Sequence, residues 1–124
     1  MKSLLFCALI LPLPAAASDL LCMPDKICVP GSCAVAITED SAIRLANPDS
    51  VAPLLTSHGE TIAMEKTMQR NGQSEWRGVN AAGEYEAVHV DRDRMEFIYW
   101  IGDEPVRFVE QVVRYRSVGK CEEQ

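Results

Sequence analysis

Residues 85–115 read YEAVHVDRDRMEFIYWIGDEPVRFVEQVVRY, three runs rich in β-branched and aromatic residues separated by the polar turns DRDR and GDEP. This pattern is typical of a three-stranded antiparallel meander. In the middle run, alternate residues from Met95 to Ile101 would face one side of the sheet, and Ile98 and Trp100 the other. A strand that is apolar on both faces is usually central and covered on both sides. We therefore predict that this run is the central strand of the fold.

The rest of the chain also divides into short apolar runs that end at turn residues. Asn71-Gly72 lies between two such runs and predicts a hairpin of strands over Glu60–Arg70 and Ser74–Val79. Pro53 is unfavourable inside a strand, so Val51–Gly59 is predicted to be a loop. Shorter strands are predicted at residues 20–23, 34–38 and 42–46, the last of which would also fit a turn of helix. Seven or eight short strands at about ten-residue intervals favour an all-β fold, a small antiparallel β-barrel or sandwich.

The first 17 residues have the pattern of a secretory signal peptide. Lys2 supplies a positive start, Leu4–Leu13 an apolar core, and Ala15–Ala17 a small-residue cleavage site. A membrane-spanning helix would need about 20 apolar residues, and Pro12 and Pro14 argue against one. We expect cleavage to leave residues 18–124 as a single domain in the periplasm or outside the cell.

The charge balance restricts the partners of this domain. Once Lys2 is removed with the signal, 11 basic residues face 18 acidic ones. Phosphate groups would repel this surface, so nucleic acid and anionic membranes are not expected as main partners. The mature chain has no second apolar run long enough to span a bilayer.

The cysteines predict two disulfides. Cys7 lies in the signal, which leaves an even number in an exported chain. Pro30-Gly31 predicts a type II turn that would bring Cys28 and Cys33 together, and Cys22 would then pair with Cys121 and join the two chain ends. A Cys22–Cys28 bridge around Pro24-Asp25-Lys26 is the alternative.

The sequence contains little that could carry catalysis or hold a metal. His58 and His89 are the two histidines, and no G-x-S-x-G nucleophile motif is present. Asp91-Arg92-Asp93 lacks the oxygen ligand and the glycine that a calcium loop requires next. The methionines are interpreted as core residues and not as copper ligands. We therefore predict a protein that is not an enzyme and has no cofactor or metal.

Aromatic and acidic residues of the C-terminal half are the candidates for a binding surface. Trp76 and Trp100 fit either the core or an exposed patch, because large aromatic side chains dominate both. The candidate surface comprises Trp76, Asn80, Gly83, Tyr85, Trp100, Asp103 and Glu104.

Part of the chain resembles the periplasmic and membrane-bound inhibitors of C-type lysozyme. The resemblance rests on AAGEY at Ala81–Tyr85, YWIGDEP at Tyr99–Pro105 and a late cysteine. Those inhibitors are small disulfide-tied antiparallel barrels with an S-A-S-G-x-x-Y-like loop and an F-W-x-K-G-D-E-A-like strand end, so the resemblance implies a barrel. Here Ala81 or Ala82 stands near the inhibitory serine, and Ile101 replaces the lysine. The C-x5-C-x4-C spacing and the final G-K-C-E also resemble small exported proteins of Gram-negative bacteria.

These observations predict an exported, non-enzymatic β-domain that binds a protein or a small ligand. One alternative is an inhibitor of an envelope-targeting hydrolase such as lysozyme, since an acidic surface complements a basic enzyme. An exposed acidic loop at residues 80–86 and 103–104 above a filled core would favour it. The other is a lipocalin-like carrier, which needs a roomy interior lined by Trp76, Phe97 and Trp100. An enzyme would need His58 or His89 in a cleft beside a carboxylate.

Overall fold

The computed structural model describes residues 18–35, 39–103 and 113–124, which form an all-β fold. All the strand pairs in these ranges are antiparallel. The prediction of a small disulfide-tied antiparallel β-barrel is confirmed, with more strands than the seven or eight expected. The strands are β1 (Leu20–Val29), β2 (Ser32–Val35), β3 (Ile43–Ala46), β4 (Leu54–Ser57), β5 (Glu60–Ala63), β6 (Glu65–Arg70), β7 (Gln73–Val79), β8 (Tyr85–Asp91), β9 (Glu96–Gly102) and β10 (Tyr115–Glu123), and a short 3-10 helix spans Glu39–Ser41.

The sheet curls into a nearly closed barrel in the order β5-β4-β3-β1-β10-β9-β8-β7-β6, with β2 paired beside β1. Its two end strands, β5 and β6, are consecutive in the chain and are separated only by Met64. The predicted single strand over Glu60–Arg70 is therefore a bent strand that pairs with β4 through its first part and with β7 through its second. β5 also approaches β7 at Gly78, where a Cβ atom would lie 2.5 Å from the carbonyl oxygen of Ala63. The absence of a side chain permits this close approach.

β9 is the central strand that the sequence predicts. It pairs with β8 on one side and β10 on the other. Phe97, Tyr99 and Ile101 face the barrel interior and are buried. Trp100 lies on the opposite face, only 6% exposed, where it packs with Ala87, and the partly buried side chains Ile98 and Val113 lie against this pair.

The third strand of the meander differs from the prediction. It was expected at residues 106–115, of which 106–112 lie outside the described part of the chain, and the strand that pairs with β9 is β10. The interior-facing positions of β10 include Ser117 and Gly119, so the strand lacks the apolar alternation on which strand prediction depends. Gly119 is needed because a Cβ atom there would lie 2.2 Å from the carbonyl oxygen of Met23, at an irregularity in β1.

The prediction of a loop over Val51–Gly59 is wrong, because β4 lies within it. Pro53 immediately precedes this strand, where its missing N–H group does not interrupt a ladder. Leu55 and Ser57 face the interior and are buried, whereas Leu54 and Thr56 are exposed. The two-residue turn His58-Gly59, with φ values of 51° and 78°, then leads into β5.

Both preferred disulfides are present. Cys22–Cys121 joins directly opposed residues of β1 and β10. Cys28–Cys33 closes the hairpin of β1 and β2. Within the ranges given above, no helix is long and apolar enough to cross a membrane.

Candidate functional site

Four residues of the predicted binding surface lie at one end of the barrel. Asn80 and Gly83 form the turn between β7 and β8, and Tyr85 begins β8 opposite Gly102 at the end of β9. Asp103 follows and is exposed, whereas Glu104 lies outside the described residues. The structure therefore brings Asn80, Gly83, Tyr85 and Asp103 to the same end.

The two tryptophans do not belong to this surface. Trp76 is fully buried inside the barrel, and its Nε1 donates a hydrogen bond to the carbonyl oxygen of Pro48 at 2.8 Å. Trp100 is buried on the outer face of β9. The prediction that Trp76 and Trp100 belong to an exposed binding surface is wrong, because other side chains pack against both of them. Trp100 also points away from Trp76 and Phe97, so the three do not line one cavity.

A concave cleft of about 430 Å³ opens at the end of the barrel that carries the β7–β8 turn. We call it the end cleft. It combines side chains from β4, β5, β8, β9 and β10 with the turn between β7 and β8. Its lining residues are Ser57, His58, Glu60, Asn80, Ala82, Glu84, Glu86, Ile101, Arg114 and Tyr115.

Glu86 is the buried acceptor at the base of the end cleft. Its side chain shares the interior face of β8 with Val88 and Val90 and is 4% exposed. The Tyr99 hydroxyl donates to Oε1 at 2.5 Å, and Asn80 Nδ2 donates to Oε2 at 2.8 Å. Both oxygens thus accept hydrogen bonds, as a carboxylate in a low-dielectric interior requires. Glu86 is not part of an exposed acidic loop as the sequence analysis expected, because its position in the alternation turns it inward.

Tyr99 and Ser57 complete this network. Ser57 Oγ lies 3.0 Å from the Tyr99 hydroxyl and 3.3 Å from Glu86 Oε1. Burial raises the pKa of Tyr99, and its hydrogen bond to Glu86 raises it further. Tyr99 therefore remains a protonated donor.

Replacing Tyr99 by Phe is expected to lower the free energy of unfolding by about 1–3 kcal/mol at neutral pH, because a buried acceptor loses its donor. The raised pKa gives a second readout. An unfolded chain releases this phenolic proton near the ordinary pKa of 10, and the folded protein does not. The contribution of Tyr99 to the free energy of unfolding is therefore fully present below pH 10 and falls as the pH rises above 10.

Denaturant unfolding between neutral and alkaline pH measures both effects. The alkaline decline should be shallower in Tyr99→Phe than in the natural protein. Tyr85→Phe is the matched control, since Tyr85 is exposed. An equally shallow decline in both variants would contradict the assignment to Tyr99.

The turn over the end cleft is fixed by Asn80. Its Oδ1 accepts the backbone N–H groups of Ala82 and Glu84, each at 3.0 Å. Glu60 of β5 accepts the N–H of Ala81 at 2.8 Å and ties the turn to the neighbouring strand. Gly83 has a φ of 83°, a conformation that a residue with a side chain rarely adopts. The turn is therefore held in one conformation beside the cleft.

Arg114 and Glu84 form the ion pair at the mouth of the cleft. Arg114 Nε and Nη2 donate to the two oxygens of Glu84 at 2.6 and 3.0 Å. The hydrogen bond lowers the pKa of Glu84 and raises that of Arg114. This two-point geometry fixes a guanidinium group at the cleft.

Comparisons with known proteins give no match. No family model fits the chain, and no curated protein or solved structure shows significant similarity to it. The chemistry of the site therefore carries the functional information, because a fold alone does not specify a function.

His58 lines the end cleft, a position that no motif in the sequence indicates. It lies exposed in the β4–β5 turn, and its ring packs edge-on to Tyr115, with 5.1 Å between centroids. The other histidine, His89, lies on β8 with Nε2 2.7 Å from Gln73 Oε1. His58 shares the cleft with three carboxylates, which meets one requirement for acid–base catalysis. The hydroxyl of Ser57, however, is directed to Tyr99 and Glu86.

Proposed function

We propose that this protein is an exported, non-enzymatic binding domain of the cell envelope, which recognises a partner protein through the end cleft and the turn beside it. The observation that carries the proposal is the buried Glu86 network opening into a concave site at the end of a packed barrel. Convergent polar groups in a preformed cleft are typical of binding sites.

The disulfides and the N-terminal sequence pattern support this compartment. Two disulfides are stable in an oxidising environment such as the periplasm or the cell exterior. The signal-like pattern of residues 1–17 would deliver the chain there.

The packed interior supports a protein partner over an enclosed small ligand. Trp76, Tyr99 and Leu55 are fully buried, so they occupy the space that a lipocalin-like carrier would leave for its ligand. The end cleft is flanked instead by the exposed turn at Ala81, Ala82 and Gly83. A protruding turn next to a concave site suits the surface of another protein.

A comparison of captured proteins tests this proposal. Ala82→Trp would fill the cleft mouth with a bulky side chain, whereas Ala34→Trp adds the same group to the exposed strand β2. Each protein is immobilised and exposed to periplasmic extract, and the captured proteins are quantified by mass spectrometry. We expect one partner to be retained by the natural protein and by Ala34→Trp but lost by Ala82→Trp. Capture that is unaffected by Ala82→Trp would overturn the proposal.

Inhibition of an envelope-targeting hydrolase is the second candidate function. It is favoured by the excess of acidic residues and by an exposed turn above a packed core. A basic enzyme would be attracted to such a surface.

Inhibition of C-type lysozyme itself is expected to be absent or weak. The inhibitors that the sequence resembles place a serine and a lysine in a cleft that contains the catalytic carboxylates. Here Ala81 and Ala82 stand near the first position, and Ile101 at the second is only 3% exposed. Apolar groups facing an ionised carboxylate leave its charge desolvated, which is unfavourable.

A turbidity assay with lysozyme at low and high salt measures this expectation. Any residual inhibition should disappear at high salt, because a surface attraction is screened by ions. Inhibition that is strong and independent of salt would show that a different surface engages lysozyme, and the inhibitor would become the preferred function.

A further inference from the structure

We infer that the end cleft receives the basic side chain of a protein partner, an arginine or a lysine, with Glu86 as the anchoring carboxylate. This inference rests on the proposed function, because it specifies the chemistry of the group that the partner inserts. It follows from the charges in the cleft, from an internal example of the same interaction and from the aromatic wall.

The charges of the cleft are unbalanced. Among the described residues, Glu60, Glu84 and Glu86 line it together with one guanidinium group, that of Arg114. Arg114 pairs with Glu84, and no ion pair to Glu60 or Glu86 exists among the described side chains. The described donors to the side chain of Glu86 are the uncharged groups of Tyr99, Ser57 and Asn80. Arg114 is close enough to Glu86 for their charges to attract, but its hydrogen bonds go to Glu84. A cation that enters the cleft would therefore meet a buried carboxylate that has no direct ion pair among the described residues.

Arg114 shows how a guanidinium group binds at this site. It bonds to both oxygens of Glu84 in a two-point arrangement, although 56% of its own side chain is exposed. Planar guanidinium groups match carboxylates in this geometry. The charged hydrogen bonds between the two groups are stronger where water is excluded, deeper in a cleft. Glu86 is the more deeply buried acceptor, so its attraction for an incoming basic side chain is screened less by water.

The remaining walls suit an organic cation. Tyr115 and His58 present aromatic surfaces, and cations are attracted to aromatic faces. The volume of about 430 Å³ accommodates a long side chain. Within residues 18–35, 39–103 and 113–124, no group of three or more His, Cys, Asp or Glu side chains is arranged to hold a metal ion. The acidic groups of the cleft therefore fit an ammonium or guanidinium group better than a metal.

Titration with small probes, followed by NMR of the isotope-labelled protein, tests the inference. The probes are N-acetyl-arginine methylamide, the lysine equivalent and N-acetyl-citrulline methylamide, which keeps the shape of arginine without its charge. We expect the charged probes to shift the backbone signals of Ala82, Gly83 and Glu84. Citrulline should bind about tenfold or more weakly, as expected for loss of a charged hydrogen bond.

Two substitutions that each remove one negative charge test whether Glu86 is the anchoring carboxylate. Glu86→Gln should weaken arginine binding about tenfold or more, whereas Glu96→Gln, at the opposite end of β9, should leave it nearly unchanged. Equal weakening by both variants would show a general attraction to an acidic surface and overturn the inference. The inference would also be overturned if the citrulline probe bound as tightly as the arginine probe. The same holds if the charged probes shifted NMR signals away from the end cleft. These comparisons within the natural protein stand even if Glu86→Gln fails to fold.

The outcome is separable from the proposed function. If the basic probes fail to bind but a partner protein is still lost by Ala82→Trp, the cleft binds a partner by other chemistry. If neither result is obtained, both proposals are wrong.

Discussion

Replacing Cys22 and Cys121 by alanine is expected to lower the free energy of unfolding by about 4–5 kcal/mol. The bridge spans 99 residues of sequence and so restricts nearly the whole unfolded chain. Its loss would increase the entropy of the unfolded state and remove two buried sulfur atoms from the core. The paired strands β1 and β10 would then depend on their ladder and on packing alone.

The second disulfide provides the matched comparison. Cys28 and Cys33 are five positions apart in the sequence, and the same chain-entropy relation gives about 2 kcal/mol for their bridge. Denaturant unfolding of the two double-alanine variants measures both values. Equal losses in the two variants would contradict the entropic explanation, because the longer loop and the burial of Cys22 and Cys121 both predict the larger loss for that bridge.

Replacing Trp76 by Ala is expected to lower the free energy of unfolding by about 3–5 kcal/mol, the range for removal of a large buried aromatic side chain. Trp76 is fully buried midway along β7 and packs beneath the loop that contains Pro48 and Asp49. Lys66 and Arg92 lie over its ring and both pair with Asp49. The hydrogen bond from Arg92 contributes most to lowering the pKa of Asp49 to about 2.

Trp76→Phe separates packing from hydrogen bonding at this position. This variant retains an aromatic ring but loses the hydrogen-bond donor to Pro48. We therefore expect its free energy of unfolding to fall by only about 1–2 kcal/mol. Denaturant unfolding of both variants measures the difference. Val35→Ala, at an exposed position of β2, controls for the general effect of a smaller side chain. If Trp76→Ala lowered the free energy of unfolding by less than Trp76→Phe does, the packing argument would be contradicted.

The parts of the fold that the sequence predicts correctly are those with strong local signals. β9 has apolar residues on both faces, Asn71-Gly72 marks a hairpin, and Pro30-Gly31 lies between two cysteines. β4 and β10 were misplaced because their signals are weak or misleading. β4 follows a proline, and β10 places Ser117 and Gly119 at interior positions where apolar residues would be expected.

The candidate site was predicted only in part, because its residues are distant in sequence. Asn80, Gly83, Tyr85 and Asp103 indicated the correct end of the barrel. The central network joins Ser57, Glu86 and Tyr99 from three strands, and no local motif connects them. The available signal was the position of Glu86 two residues before Val88 on the interior face, where a carboxylate must have donors.

The pairing of β1 with β10 has a consequence for when the molecule can fold. β1 lies in the central ladder between β3 and β10, so its pairing there requires the last nine-residue strand of the chain. Contacts between such distant residues form late, because a long loop must close before they become favourable. A growing chain that lacks residues 115–123 therefore cannot complete the barrel or form the Cys22–Cys121 bridge. The barrel therefore stays open between β1 and β9 until residues 115–123 are available to pair with both strands.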